Sequence, residues 1–135
     1  MSGNYFDGLA MYESQNCFLF NLQLSDNGYA GFSGDLNFNG NLGGLLYCIN
    51  NEKEGMFLRN SRSNNFSRCF IKGNKGAGVF LAKSELENSA VTNSIFGDFF
   101  FAGNSINIDI RDKECVGNQF PGKLVYGEKL AVIVK

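Results

Sequence analysis

Two aspartates and an arginine in the segment SINIDIRD (residues 105–112) have the types and the spacing that come closest to a catalytic set. Asp109 and Asp112 are three positions apart, and Arg111 lies between them. Two carboxyl groups held a few ångströms apart can serve as general acid and as base or nucleophile at a glycosidic bond. If the chain is an enzyme, we expect Asp109, Asp112 and Arg111 to act on a polysaccharide as a hydrolase or lyase.

Other catalytic chemistry has little support in the sequence. The chain contains no histidine, so Ser–His and Cys–His nucleophile systems are excluded. Asp98 and Arg59 are the remaining candidates for an acid–base set. Acidic and basic residues at turns are ordinary on protein surfaces, so the sequence favours a protein that is not an enzyme.

The cysteines do not have the spacing of a metal site. Cys17, Cys48, Cys69 and Cys115 form no CxxC pair, and there is no histidine to complete a zinc site. We therefore expect free, mostly buried thiols that act as small apolar side chains. The sequence predicts no cofactor and no metal.

The clearest pattern in the chain is an internal repeat. The segment GMFLRNS at positions 55–61 recurs as GVFLAKS at positions 78–84. Glycines continue this spacing in nearly equal steps along the whole chain: Gly8, Gly31, Gly55, Gly78, Gly103 and Gly127. Regular spacing of this kind predicts a repeat architecture.

Two further ladders run in step with the glycines. The longer one consists of Leu24, Tyr47, Ile71, Ile95 and Phe120, and the shorter one of Leu19, Leu42 and Phe66. Apolar residues alternate with period two within each repeat, which is typical of strands, and Gly and Asn interrupt the alternation at short intervals. Short strands that coil once per repeat explain both features, because equivalent residues then lie ~4.8 Å apart. A two-sheet β-sandwich is the alternative if the ladders are coincidental.

This pattern resembles the right-handed parallel β-helix of pectate-lyase-like proteins and phage tailspikes. The resemblance covers residues 8–135 with about five and a half coils of ~24 residues, and residues 1–7 are left as a short cap or tail. It is architectural and brings no family-specific catalytic motif. It implies either a non-catalytic structural or adhesive module, a polysaccharide-degrading enzyme or its remnant, or a filament-forming β-solenoid.

The strand alternation predicts one exposed face with a candidate site. Rows one and three positions after each glycine are apolar and should point inward: Leu9, Phe32, Met56, Val79, Ile106 and Leu130, then Met11, Gly34, Leu58, Leu81, Ile108 and Val132. The rows that should point outward are Ala10, Ser33, Phe57, Phe80, Asn107 and Ala131, then Tyr12, Asp35, Arg59, Ala82, Asp109 and Ile133.

We expect Phe57, Phe80, Arg59, Asp35 and Tyr12 of this face to bind a glycan or a protein partner. Phenyl faces suit the C–H faces of sugars, and polar neighbours suit their hydroxyls. The alternative is that the two phenylalanines pack under a loop or against a neighbouring subunit.

A second apolar cluster, Phe99–Phe101, lies where the repeat lengthens. It is predicted as a loop that docks a partner, folds over the side of the barrel or plugs one of its ends.

Charge and hydropathy exclude some partners. The net charge is −1 without a basic block, so we expect no nucleic acid. No apolar run approaches the roughly 20 residues of a membrane span. The N-terminal segment MSGNYFDGLAMYESQ lacks the basic start and apolar core of a signal peptide, which leaves a cytoplasmic protein, a virion component or a piece of a larger chain.

The ends of such a solenoid expose strand edges and a section of the core, which invites association. The sequence therefore predicts a homo-oligomer, either a trimer about the long axis or an end-to-end stack. The predicted function is a structural or adhesive module of a phage tail spike, fibre or surface appendage.

Overall fold

The chain coils forward and stacks each coil on the one before it. A computed structural model describes residues 1–126 and 132–134. The described strands, in chain order, are β1 (Leu9–Tyr12), β2 (Phe18–Ser25), β3 (Phe32–Asp35), β4 (Phe38–Asn39), β5 (Leu42–Ile49), β6 (Met56–Arg59), β7 (Ser61–Arg62), β8 (Asn65–Ser67), β9 (Phe70–Lys72), β10 (Ala77–Ala82), β11 (Val91–Thr92), β12 (Ile95–Gly97), β13 (Phe100–Ala102), β14 (Ile106–Ile110), β15 (Leu124–Tyr126) and β16 (Val132–Val134).

The strands form three parallel sheets along the solenoid. Sheet 1 has the order β1-β3-β6-β10-β14-β16, sheet 2 the order β11-β7-β4, and sheet 3 contains β2, β5, β8, β9, β12, β13 and β15. We number the coils by their sheet 1 strands, so that β1 opens coil 1 and β14 opens coil 5. This architecture confirms the predicted right-handed parallel β-helix and excludes the β-sandwich. No helix among the described residues has the length and apolar character needed to cross a membrane.

Sheet 1 has the register that the glycine-anchored repeat predicts. Leu9 lies opposite Phe32, Phe32 opposite Met56, and Met56 opposite Val79. Leu9 is half-buried at the open end, and the other three are fully buried. The first inward row is therefore confirmed over four coils.

The repeat lengthens once, at the corner between β10 and β11. One ordinary repeat of the sequence leads from Arg59 to Ala82, which lies opposite it in sheet 1. The path from Arg62 to its partner Thr92 in sheet 2 is longer than a repeat. The additional chain forms a loop over residues 83–90, which we call the corner loop. Pairing is parallel and in register on both sides of it, so the solenoid continues undisturbed.

The predicted register of β14, in coil 5, is wrong by two positions. Ile108 lies opposite Val79 in place of Ile106, and Asp109 lies opposite Phe80. The error arises because the apolar alternation of a strand looks the same after a shift of two positions. Three further predicted positions lie outside the described residues: Gly127, Leu130 and Ala131.

The longer predicted ladder is wrong in all four of its steps, because Ile71 lies opposite Phe101 and Ile95 is bridged to Gln119. Leu24 lies opposite Cys48, and Cys48 lies opposite Ile71. Tyr47 is one position away and points outward, and Ile95 belongs to the preceding strand, β12. The column of core residues exists, but Cys48 occupies the place that the sequence assigned to tyrosine.

The shorter predicted ladder fails for a related reason. Leu19 lies opposite Gly43, which lies opposite Phe66, while the predicted member Leu42 is exposed. A methyl group on Gly43 would lie 2.3 Å from the Phe66 ring. The glycine therefore makes room for a buried phenyl ring.

Single residues with positive φ turn the chain at the corners and in the middle of sheet 3. The mid-sheet column consists of Asn21, Leu45, Arg68, Asp98 and Gly122. Left-handed backbone is costly for Leu and Arg and mild for Asn, Asp and Gly. Each such residue interrupts the inward–outward alternation of its strand, which explains the one-position errors in the predicted ladders.

Buried asparagines bond to one another along two corners. The first asparagine ladder contains Asn4, Asn27, Asn51, Asn74 and Asn104, joined by amide-to-amide bonds of 2.8–2.9 Å. The second contains Asn41, Asn64, Ser94 and Asn118. These side chains satisfy backbone groups that the corners leave without strand partners.

The core is rich in stacked phenylalanines. Phe66 stacks on Phe96 at 6.0 Å between ring centroids, and both are fully buried. The Phe99–Phe101 cluster contributes to this core: Phe99 and Phe101 are fully buried, and Phe100 points outward. The prediction of an apolar loop is therefore wrong, because the segment alternates as strand β13.

Candidate functional site

An open groove runs over the outer surface of sheet 1 beside the corner loop. Its volume is about 720 Å³. The strands β6 and β10 supply its floor, and the corner loop and the segment after β14 supply its walls. The lining residues that matter below are Phe57, Arg59, Phe80, Lys83, Arg111 and Asp112. We call this surface the sheet 1 groove.

Two phenyl rings and two guanidinium groups form a continuous row in the groove. Phe57 and Phe80 are opposite each other in register, and their rings stack with centroids 5.4 Å apart and planes 10° apart. The guanidinium carbon of Arg59 lies 5.7 Å from the centre of the Phe57 ring, and that of Arg111 lies 5.0 Å from the centre of the Phe80 ring. These are cation–π distances, and we call the four side chains the guanidinium–phenyl row.

Two buried carboxylates orient the guanidinium groups. Arg59 donates from Nε and Nη2 to Oδ2 of Asp35 at 2.9 and 2.6 Å, and Arg111 donates from Nη2 to Oδ2 of Asp109 at 2.6 Å. The carboxylate side chains are 5–6% exposed, whereas the arginine side chains are 43–45% exposed. The hydrogen bond to its aspartate raises the pKa of each arginine. Both arginines therefore stay charged and keep donors free towards solvent.

The wall formed by the corner loop is tied to coil 5. The backbone N–H of Lys83 donates to Oδ2 of Asp112 at 2.7 Å, and its ammonium group lies 3.5 Å from Oε1 of Glu114. The pKa of Glu114 is lowered, first by a hydrogen bond with its own backbone and further by Lys83. Asp112 thus has a structural role at the point where the loop begins.

Most of the residues predicted for a site do meet in the structure. Phe57, Phe80, Arg59 and Asp35 adjoin one another, and Tyr12 lies exposed opposite Asp35 at the open end of the sheet. The phenyl faces expected to stack on sugars are occupied by each other and by the guanidinium groups. A ligand in the groove would meet the ring edges and the free donors of the arginines.

The predicted acid–base set is brought together only in part. Arg111 and Asp112 line the groove, and Asp109 lies beneath Arg111. Because of the shifted register, Arg111, and not Asp109, continues the column that contains Arg59. Asp98 is exposed on sheet 3, on another face of the solenoid. The remaining oxygen of Asp109, Oδ1, is buried without a hydrogen-bond partner among the described residues.

Sequence reasoning missed the apolar outer surface of sheet 3. Tyr47 and Phe70 stack there with ring centroids 4.9 Å apart and planes 3° apart. Their separation by one repeat was a usable signal, but Tyr47 was placed in a ladder with Leu24 and Ile71, which are core residues in the structure. The two asparagine ladders were missed as well, although Asn27, Asn51 and Asn74 follow the same repeat.

A comparison with solved structures supports the fold. A double mutant of the periplasmic alginate epimerase AlgG superposes with a TM-score of 0.64 at 17% sequence identity, over 96% of this chain and 35% of that one. The chain thus spans about a third of the epimerase, and the likeness shows a shared parallel β-helix. No curated protein sequence matches the chain at a significant level.

A family model described as periplasmic copper-binding protein (NosD) matches residues 1–127. Protein copper sites use imidazole, thiolate or thioether ligands. The chain has no histidine, and burial raises the pKa of the Cys48 thiol and raises that of Cys69 to about 12. Among residues 1–126 and 132–134, no group of three or more His, Cys, Asp or Glu is placed to hold a metal ion. The described residues therefore do not fit copper, yet the match over almost the whole sequence is decisive for descent: the chain belongs to the NosD family.

Proposed function

We propose that the chain binds an acidic polysaccharide in the sheet 1 groove without cleaving it. The observation that carries this proposal is the guanidinium–phenyl row, a pre-ordered set of apolar edges and free cationic donors in an open groove. The row follows the solenoid axis, so it presents repeated groups to a repeating polymer. Because the side chains of this row are already held in place, binding a ligand costs less conformational entropy.

The arginines suit carboxylate or sulfate groups. Arg59 and Arg111 occupy the same column two coils apart, which corresponds to ~9.6 Å at the usual strand spacing. Guanidinium groups form charge-assisted hydrogen bonds with such anions, often through two N–H groups at once. The phenyl edges between them can contact the C–H groups of a sugar unit.

Acidic residues in both walls restrict where an anionic group can lie. Glu85 of the corner loop and Asp112 and Glu114 of the segment after β14 line the groove. Their charges would repel a carboxylate there and favour its placement over the guanidinium–phenyl row, while their oxygens can accept hydrogen bonds from sugar hydroxyls.

The relatives supply the first polymer to test. AlgG acts on alginate, a polymer of uronic acids, and both AlgG and the NosD family are described as periplasmic. A periplasmic location and alginate-like ligands are therefore part of this proposal. The predicted role in a phage tail spike or appendage has no support in the groove or in the relatives, and this role is not part of the proposal.

Catalysis on a polysaccharide is the second candidate. It is favoured by Asp112 and Arg111 in the groove and by the enzymatic activity of AlgG. It is weakened because Asp109 and Asp112 each already hold a structural partner, Arg111 and the Lys83 N–H. The shared fold at 17% identity does not by itself carry an activity from one chain to the other.

Titration calorimetry with alginate oligosaccharides tests the proposal, with neutral dextran oligosaccharides as the comparison ligand. Arg59→Gln and Arg111→Gln should each weaken alginate binding about tenfold or more, since a hydrogen bond to a charged group contributes about 1.5–3 kcal/mol. Arg62→Gln, an exposed arginine on sheet 2, is the matched control and should bind as the unchanged chain does.

Several results would contradict the proposal. Equal affinity for dextran, or unchanged affinity in both arginine variants, would show that the groove does not recognise anionic groups. Unsaturated products, new reducing ends or a changed epimer composition after incubation with alginate would establish an enzyme in place of a binding module. Loss of that activity in Asp112→Asn would then assign it to the groove.

A further inference from the structure

The outer surface of sheet 3 exposes large apolar side chains on successive coils. Their exposed fractions are 69% for Phe18, 53% for Phe20, 51% for Leu42, 37% for Phe70, 37% for Ile95 and 62% for Leu124. Tyr47, Phe70 and Phe100 form a column through the middle of the surface, with ring centroids 4.9 and 6.1 Å apart. We call this surface the sheet 3 face. A contiguous apolar face of this kind indicates a protein interface.

Charge on the sheet 3 face is sparse and of both signs. Among the described residues that point outward from its strands or occupy its mid-sheet corner, the charged ones are Arg68, Lys72 and Asp98. Arg68 and Asp98 hold equivalent corner positions on adjacent coils, and both have a φ of 54°. Lys72 is at the edge of the face, where a long side chain can reach solvent. The face therefore has an apolar centre, and the one charge in excess, on Lys72, lies at its edge, away from the centre of the face.

We infer that a second copy of this chain covers the sheet 3 face in a twofold dimer. The twofold axis lies parallel to the strands, between coils 3 and 4, so the coil order of one copy runs opposite to that of the other. In this arrangement Arg68 faces the partner's Asp98, and Phe70 faces the partner's Phe100. Each contact occurs twice because the interface is isologous.

The size of the face fits such a dimer. A strand as long as β2, with its 8 residues, extends about 26 Å, and five coils at ~4.8 Å extend about 24 Å along the axis. The face therefore offers about 600 Å² per copy and about 1,200 Å² in total, which reaches the lower bound of standard interfaces. This dimer differs from the predicted trimer and end-to-end stack, both of which would leave the sheet 3 face exposed.

Analytical ultracentrifugation over a range of concentrations tests the inference. The unchanged chain should sediment with twice the monomer mass of 14.9 kDa and dissociate on dilution. Phe70→Glu should weaken the dimer at least about 100-fold, because each of its two copies loses an apolar contact and buries a charge. Phe57→Ser is the matched control on sheet 1, outside the sheet 3 face, and should leave the mass unchanged. Circular dichroism verifies that each variant is folded.

A charge exchange adds a test that does not depend on apolar packing. Arg68→Asp places like charges opposite each other and should weaken the dimer, and adding Asp98→Arg should restore it. A monomer at all concentrations, a trimer or a filament would overturn the inference. If the dimer survives Phe70→Glu but dissociates in Phe57→Ser, the interface lies on the sheet 1 groove and the inference is wrong. If the charge exchange does not restore the dimer, the twofold arrangement is refuted.

Discussion

Replacing Asn74 by alanine removes the middle rung of the first asparagine ladder. The side chain is 1% exposed and bonds in both directions along the solenoid. Its Oδ1 accepts from the backbone N–H of Asn51 at 3.0 Å and from Nδ2 of Asn51 at 2.9 Å. Its Nδ2 donates to the carbonyl oxygen of Cys48 at 3.0 Å and to Oδ1 of Asn104 at 2.8 Å.

The expected loss follows from the groups left without partners. Alanine leaves the Asn51 N–H and one hydrogen of the Asn51 amide without acceptors in a dry interior; the other hydrogen keeps its bond to the carbonyl of Leu24. Each of the two orphaned buried donors costs about 1–3 kcal/mol, so we expect Asn74→Ala to lower the free energy of unfolding by about 2–6 kcal/mol. Against a typical total of about 5–15 kcal/mol, this is a large share.

Two companion variants make the expectation sharper. In the second ladder Ser94 holds an equivalent rung, and its Oγ accepts the backbone N–H of Asn64 at 3.1 Å. Asn74→Ser should therefore keep one of the lost bonds and be destabilised less than Asn74→Ala. Asn4→Ala changes the exposed terminal rung of the same ladder, where water replaces the lost bond, and should cost less than about 1 kcal/mol.

Equilibrium unfolding in urea, followed by circular dichroism at one protein concentration, measures all three variants. The order of stability should be Asn4→Ala, then Asn74→Ser, then Asn74→Ala. The reasoning is refuted if Asn74→Ala lies within about 1 kcal/mol of the unchanged chain or if serine performs no better than alanine.

Two further predictions concern the core. Gly43→Ala should destabilise the fold by about 1–3 kcal/mol through overpacking, since its methyl group would lie 2.3 Å from the Phe66 ring. Gly44→Ala is the control and should cost less, because its methyl group would meet the edge of the exposed Phe20 ring at 3.3 Å. Equal melting temperatures of the two variants would contradict this prediction. Burial raises the pKa of Cys69 to about 12, so as pH rises the unfolded chain loses its thiol proton before the folded chain does, and stability should fall from about pH 8.5 upward. Urea titrations at several pH values should show a shallower fall of stability for Cys69→Ala. An equal slope in the variant and the unchanged chain would contradict this prediction.

Sheet 1 was predictable because its strands keep an uninterrupted alternation. Leu9, Phe32, Met56 and Val79 are spaced by the repeat alone, and nothing within these strands changes the side on which a residue points. Spacing therefore sufficed to predict which residues share a face. The same logic brought Phe57 and Phe80 together correctly.

Sheet 3 was not predictable to the same degree because a left-handed residue bends each of its longer strands in the middle. Leu45 has a φ of 53°, a conformation that leucine rarely adopts, so its sequence gives no signal of the bend. The side on which every later residue of the strand points therefore changes, and Cys48, not Tyr47, lies opposite Leu24 and Ile71. Similarly, the corner loop lengthens one coil by an amount that the repeat does not predict. Only a pair of recognisable equivalent residues before and after the loop, such as Asn74 and Asn104, could have shown where the regular repeat resumes.

The candidate site divides along the same line. Arg59 and Asp35 were predicted as neighbours because they are one repeat apart in the sequence, and they form an ion pair. The partnership of Arg111 with the Phe80 ring depends on the register after the corner loop, and a shift by two positions exchanged it with Asp109. Distances across a turn of variable length are set by three-dimensional closure, which short-range patterns do not record.

The corner loop is a position at which additional residues can be inserted into the solenoid. Pairing is regular up to Ala82 and again from Val91 onward, so the excursion between them is absorbed without strain on the coils above and below. A protein engineer can therefore graft an epitope, a reporter peptide or a longer specificity-determining segment at this position. Since the graft would overhang the sheet 1 groove, the same insertion would alter what the groove admits while the scaffold beneath keeps its shape.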